Sequence, residues 1–84
     1  MRAAYANGGG APAPIRVVIA DDHAVVRDGL RALVEAQPGL AVVGEAADGD
    51  DAHRLACALA PDVLLLDLSM PGGGGAEAAE RIGR

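Results

Sequence analysis

The chain of 84 residues is short for a domain, so the sequence holds one domain at most. Apolar residues make up 51% of it, which excludes a disordered chain, but Tyr5 is the only aromatic residue. Twelve acids against seven bases, all of them Arg, give a net charge of −5, which disfavours nucleic acid or an anionic membrane as a partner. No apolar run approaches the roughly 20 residues of a membrane span, and we expect a cytoplasmic protein without membrane contact.

The first half of the chain predicts a leader, a strand and a helix. Residues 1–14 contain three consecutive glycines and two prolines, so we expect a disordered leader there. Ile15–Ala20 is a β-branched run typical of a parallel strand that is covered on both faces. A helix follows, with Asp22 or His23 near its N-cap and Pro38-Gly39 as its stop. Its apolar residues recur at helical spacing and are Val26, Leu30, Leu33 and Val34.

The second half repeats this alternation. Leu40–Ala46 predicts a second strand, and residues 48–50 turn the chain and cap a second helix. Cys57 lies in that helix, and we expect it to be a small buried hydrophobe. Val63–Leu68 predicts a third buried strand, and a third helix begins within Ala76–Ile82. The residues expected on the inner face of the second helix are Ala52, Leu55, Ala56 and Leu59.

The order β-α-β-α-β-α predicts an α/β fold with a doubly wound parallel sheet and right-handed crossovers. In such a sheet the functional groups gather beyond the carboxyl ends of the strands. Asp21 and Asp22 follow the first strand, and Asp67 ends the third. If these two strands are neighbours, the three carboxylates converge.

Simple structural roles account for these aspartates only in part. Asp21 and Asp22 alone could serve as helix caps, but Asp67 within an apolar strand is costly unless it is paired or coordinates a metal. Two such charges 4 Å apart repel by up to about 4 kcal/mol at an effective dielectric of 20. A hard cation such as Mg²⁺ relieves this repulsion with oxygen ligands. A carboxylate beside Mg²⁺ can also attack phosphorus and form an acyl phosphate.

These motifs together resemble a known family. The acidic pair after the first strand is followed by D-x-x-M-P at residues 67–71 and by Gly75, eight residues after Asp67. From Ile15 to Arg84 the chain resembles the receiver domain of two-component response regulators, and within them the NarL/FixJ subfamily with its LuxR-type helix-turn-helix. The resemblance implies a phosphoprotein of a phosphorelay, with 4-aspartylphosphate as the modified residue and a sensor histidine kinase as the phosphoryl donor. It also implies a flavodoxin-like (CheY-like) sheet.

The resemblance implies a role for each matching residue. Asp67 corresponds to the phospho-acceptor. Asp22 and Asp67 correspond to direct Mg²⁺ ligands together with the backbone carbonyl of Ser69, and Asp21 to the acid that reaches the metal through water. The residues that shape the loop are Met70, Pro71 and Gly75. A domain of this kind accepts a phosphoryl group and is not a turnover enzyme.

The chain also departs from the family pattern. A receiver has five strands, so residues 15–84 correspond to the N-terminal part of one, with about three strands. The fourth strand's Ser/Thr and the fifth strand's Lys are missing, and the chain contains no Lys. The DNA-binding domain is absent from this chain, so we expect a fragment that reaches DNA only through such a domain. The third strand, Val63–Leu68, is expected to be an exposed edge that permits self-association.

Two other functions remain open. An Asp-nucleophile, Mg²⁺-dependent phosphohydrolase usually needs a second acid two residues after the nucleophile, but Asp67 is followed by Leu68 and Ser69. A non-functional truncated remnant is the third possibility. His23 is expected to be a solvated loop residue, and His53 an exposed residue of the second helix.

Overall fold

The computed structural model describes residues 2–6 and 13–68. Within these ranges the chain forms four strands and two helices. In chain order they are β1 (Arg2–Ala6), β2 (Ile15–Ala20), α1 (Ala24–Glu35), β3 (Leu40–Ala46), α2 (Gly49–Leu59) and β4 (Val63–Asp67). The helix predicted within residues 76–82 lies outside the described residues.

The strands form one sheet in the order β1-β4-β2-β3. β2 is parallel to β3 on one side and to β4 on the other, with a helix in each connection. The predicted doubly wound arrangement of three parallel strands is therefore confirmed. In the described part of the chain neither helix is long and apolar enough to cross a membrane.

β1 is the element that the sequence did not predict. Arg2–Ala6 pairs antiparallel with β4, and the register aligns Arg2 with Asp67. These five residues thus differ from the disordered leader expected for residues 1–14. The prediction of an exposed edge at Val63–Leu68 is wrong, because β4 lies between β1 and β2, and the edge offers no basis for self-association.

The core is centred on β2, where Val17–Ala20 are buried without interruption. Val18 and Ala20 share one face of the sheet and pack in an apolar cluster with Ala52 of α2. Ile19 lies on the opposite face and pairs with Glu45 of β3, whose carboxylate accepts a hydrogen bond from Arg31 of α1. The two helices therefore cover opposite faces of the sheet, as the continuous apolar run of β2 predicts.

α1 presents fewer apolar residues to the sheet than its sequence suggests. Val26, Leu30 and Val34 are half-buried, and no residue of α1 is fully buried. Leu33 belongs to the predicted helical spacing of apolar residues but is 66% exposed, and Val25 is 84% exposed. The helix is rotated so that its inner face is centred between Leu30 and Val34, which turns Leu33 towards its margin.

α2 is tied more closely to the core. Asp48 is its N-cap, and the Asp48 side chain accepts a hydrogen bond from the Asp51 N–H at 2.8 Å. Cys57 is exposed, so the prediction that it is buried is wrong. At 100° per residue it lies about 140° from Ala52, which faces the core. His53 is half-buried, with Nε2 3.8 Å from Cys57 Sγ.

The register of β2 and β4 is held at the end opposite the aspartates. The Asp62 carboxylate accepts the N–H of Arg16 at 2.9 Å, and the Asp62 N–H donates to the Arg16 carbonyl at 2.9 Å. The Arg16 guanidinium also donates to the carbonyl of Ala60. This closed set of bonds aligns Val17 with Val63, and so determines which residues meet at the far end of the strands.

Candidate functional site

Two aspartates lie side by side at the carboxyl ends of β2 and β4. The parallel register pairs Ala20 with Leu66, and each of these residues is followed directly by an aspartate. Asp21 is fully buried, whereas Asp67 retains 6% exposure. The convergence expected from the sequence is thus present, and it depends on β2 and β4 being neighbours.

Asp22 and His23 complete the cluster. One ligand atom from each of Asp21, Asp22, His23 and Asp67 lies within 4.8 Å of the others. The side chain of Asp22 is 31% exposed, so the cluster opens to solvent on the side of the loop before α1. The buried carboxylates therefore lie at the base of the cluster and the accessible groups at its entrance.

His23 is more closely involved than the sequence indicated. Its Nδ1 lies 3.1 Å from Asp21 Oδ1 and 2.9 Å from Asp22 Oδ1, and its main-chain N–H donates to Asp21 Oδ1 at 2.9 Å. The ring is 68% exposed, as expected for a loop residue, but its nitrogen joins the two carboxylates. The signal in the sequence was its place two residues after Asp21, from which a side chain can bond back across a turn.

The backbone of Asp21 is held on both sides. Its N–H donates to the carbonyl of Ala46 in β3 at 3.0 Å. Its carbonyl accepts a hydrogen bond from Nη1 of Arg27 in α1 at 2.7 Å. Arg27 is a contact of the site that the sequence did not reveal, because nothing in its spacing shows that it faces the acidic loop.

The donor set fits Mg²⁺. Three carboxylates from separate positions supply oxygen atoms, and Mg²⁺ is bound through one or two carboxylates with water in its remaining positions. An ionised carboxylate is costly to bury unless it is paired or coordinates a cation, and two of the three are buried. Asp21, Asp22 and Asp67 would hold the ion. The nitrogen of His23 is a poor ligand for this hard ion and is better suited to bonding the carboxylates.

The other predicted site residues lie beyond the described part of the chain. These are Ser69, Met70, Pro71 and Gly75. The structure therefore describes the acidic part of the predicted site and not the loop that follows β4.

Comparison with known proteins identifies the family. The family model of the response regulator receiver domain matches residues 17–84. The chain belongs to this family. The matched range includes every residue of the acidic cluster, so the receiver resemblance expected from the sequence is confirmed.

Curated relatives are regulators of this class. The chain is 54% identical over 70 residues to the transcriptional regulatory protein LiaR of Bacillus subtilis, which covers 83% of this chain and 33% of the relative. It is 41% identical over 69 residues to the nitrate/nitrite response regulator protein NarL of Escherichia coli, which covers 82% of this chain and 32% of the relative. The chain therefore spans about a third of the length of these relatives.

Solved receiver domains have the same fold. The response regulator domain of Thermotoga maritima CheB superposes with a TM-score of 0.80 at 42% identity, covering 82% of this chain and 52% of that one. The receiver domain of NarL from Mycobacterium tuberculosis gives a TM-score of 0.78 at 46% identity, covering 81% and 55%. The chain spans about half of each, which agrees with the predicted incomplete flavodoxin-like sheet.

Proposed function

We propose that this receiver domain accepts a phosphoryl group from a sensor histidine kinase on Asp67, with Mg²⁺ held by Asp22, Asp67 and the Ser69 carbonyl, and by Asp21 through water. The observation that carries the proposal is the position of Asp67, which is buried at the carboxyl end of β4 and beside the carboxyl end of β2. Membership of the receiver family supports a phospho-accepting signalling module and disfavours a phosphohydrolase that releases phosphate in repeated turnovers.

Exposure distinguishes Asp67 from Asp21. A phosphoryl donor must reach the attacking carboxylate oxygen, and the Asp21 side chain is fully buried. Asp21 Oδ1 also accepts the main-chain N–H of His23 and lies against the imidazole, so it is already committed within the loop. Asp67 is the less buried of the two residues, with 6% exposure at the carboxyl end of β4. Its burial would limit the access of water to an acyl phosphate formed there.

The chemistry follows from the carboxylates. An Asp67 oxygen attacks the phosphorus of a phosphohistidine, the P–N bond breaks, and an acyl phosphate forms while the imidazole leaves. A bound Mg²⁺ would neutralise oxygen charge on the phosphoryl group. The name of LiaR, a transcriptional regulatory protein, supports a role in a transcriptional regulator, in which a separate helix-turn-helix would contact DNA.

The test is phosphorylation by acetyl phosphate, measured by mass spectrometry of the intact protein. We expect the chain with Mg²⁺ to gain one phosphoryl group, and Asp67→Asn to gain none, since the amide keeps the size but lacks the nucleophilic anion. Asp22→Asn keeps the nucleophile and loses a metal ligand, so its labelling rate should fall at least about tenfold.

Asp28→Asn is the matched control, because Asp28 is an exposed acid of α1 outside the cluster. Its labelling should equal that of the unmodified chain. Labelling that persists in Asp67→Asn would assign the acceptor elsewhere, and labelling unaffected by removal of Mg²⁺ with EDTA would refute the metal's role.

A further inference from the structure

Arg27 links the acidic loop to the rest of the fold. It lies one turn into α1, and its Nη1 donates to the Asp21 carbonyl at 2.7 Å. Its side chain is only 20% exposed, so this contact is shielded from water. A charged donor on a shielded carbonyl makes a stronger hydrogen bond than a neutral one. The bond therefore restrains the peptide that joins Asp21 to Asp22.

Glu45 of β3 holds Arg27 in this position. Arg27 Nε lies 3.5 Å from Glu45 Oε1, and Arg31 Nη1 donates to Glu45 Oε2 at 2.6 Å. Arg31 also donates to Glu35, and these two acceptors raise the pKa of the Arg31 guanidinium. Both arginines thus share one carboxylate, but the partners of Arg31 are glutamates outside the acidic loop.

We infer that Arg27 is a positioning residue for the metal site, an inference that rests on the function proposed above. The Ala46 carbonyl fixes the N–H of Asp21, and Arg27 fixes its carbonyl. With both ends of the residue held, the Asp21 carboxylate is aimed at the cluster, and the peptide leading to Asp22 has one orientation. Mutation of residues that do not bind a metal themselves but orient its ligands typically lowers metal affinity about 10–100-fold.

Charge and positioning predict opposite results for the loss of Arg27. A guanidinium near three carboxylates repels a divalent cation, so removing its charge alone would tighten Mg²⁺ binding. Releasing the Asp21 carbonyl instead lets the ligands move, which weakens binding. The direction of the change in affinity therefore separates the two roles.

The experiment is a titration of the full chain with Mg²⁺, in which the amide NMR shifts report binding. We expect Arg27→Gln to weaken Mg²⁺ binding about tenfold. The matched control Arg31→Gln removes the same charge from the same helix and the same Glu45, and should change affinity less than twofold. Arg27→Lys retains the charge with a single point of donation, and its affinity should lie between those of Arg27→Gln and the unmodified chain.

A second measurement needs no metal. Because the His23 N–H donates to the Asp21 carboxylate, release of the loop should increase hydrogen exchange at the His23 amide in Arg27→Gln and not in Arg31→Gln. If Arg27→Gln fails to fold, Arg27→Lys is measured in both experiments and should show the same changes at smaller size.

The outcomes separate this inference from the proposed function. Equal or tighter Mg²⁺ binding by Arg27→Gln, while the unmodified chain titrates, overturns the positioning role alone. If the unmodified chain shows no response to Mg²⁺, the proposed metal site fails, and so does the assignment of Arg27 to it. An unchanged His23 amide in Arg27→Gln would show that the loop is not held by Arg27.

Discussion

α1 and α2 cover opposite faces of one sheet, but they are attached to it by different kinds of contact. Ala52 of α2 is fully buried in the apolar cluster, and Leu55 and Leu59 pack against it. α1 has no fully buried residue, and it is attached by polar contacts: Arg27 donates to the Asp21 carbonyl, and Arg27 and Arg31 both pair with Glu45.

This difference separates support of the fold from support of the site. Apolar burial is non-directional and stabilises the folded chain in proportion to the area removed from water. Hydrogen bonds from a guanidinium are directional and determine where a particular carbonyl lies. α2 therefore contributes mainly to stability, whereas α1 contributes mainly to the geometry of the loop from Asp21 to His23.

The largest expected effect comes from placing the same charge in each helix. Ala52→Asp buries an unpaired carboxylate in the core, which we expect to cost at least about 4 kcal/mol and to unfold the chain. Ala32→Asp places the carboxylate on the exposed face of α1 and should cost roughly 0.5 kcal/mol. Circular dichroism during thermal and urea unfolding measures the loss of stability of both variants.

The helix dipole opposes the expected order of stability of the two variants. Ala52 is the fourth residue of α2, where an acid is favoured, whereas Ala32 lies in the C-terminal half of α1, where it is not. The dipole thus acts against the expected order. Melting of the Ala52 variant within a few degrees of the Ala32 variant would contradict the apolar attachment of α2.

A smaller effect is expected at the two helix N-caps. Asp48→Ala removes the acceptor for the Asp51 N–H and should cost about 1 kcal/mol, which lowers Tm by about 4–8 °C in a domain of this size. His23 is the N-cap of α1 and makes no side-chain cap hydrogen bond, so His23→Ala should lower Tm by less than half as much. Asp48→Asn retains an acceptor and should restore most of the loss. Equal losses at both caps would remove this distinction between the helices.

The parallel part of the fold was predictable because its signals are local. Ile15–Ala20 and Leu40–Ala46 were predicted with the bounds that the structure gives, since each is an apolar run bounded by turn residues or charges. The meeting of Asp21 with Asp67 follows from a general property of parallel sheets. Local pattern and topology were sufficient for the acidic part of the candidate site.

The remaining features depend on partners distant in the sequence. β1 forms because the free side of β4 accepts its backbone, and nothing within Arg2–Ala6 encodes that pairing. The contact of Arg27 with the Asp21 carbonyl depends on the rotation of α1 against the sheet. The same rotation leaves Leu33 exposed, which spacing alone did not reveal.

The smallest expected effect comes from adding one methyl group at a glycine on each side of the sheet. A Cβ at Gly29 in α1 meets nothing within 4 Å, so Gly29→Ala should stabilise the chain by about 0.5–1 kcal/mol. A Cβ at Gly44 in β3 would lie 3.0 Å from Cδ1 of Leu59, so Gly44→Ala should bring no gain unless that side chain moves. Thermal unfolding of Gly44→Ala, of Leu59→Ala and of the double variant measures the coupling between positions 44 and 59. Gly29→Ala is measured in the same way. Independent effects at positions 44 and 59 would show that α2 is not closely packed on β3, and the contrast between the helices would then rest on Ala52 alone.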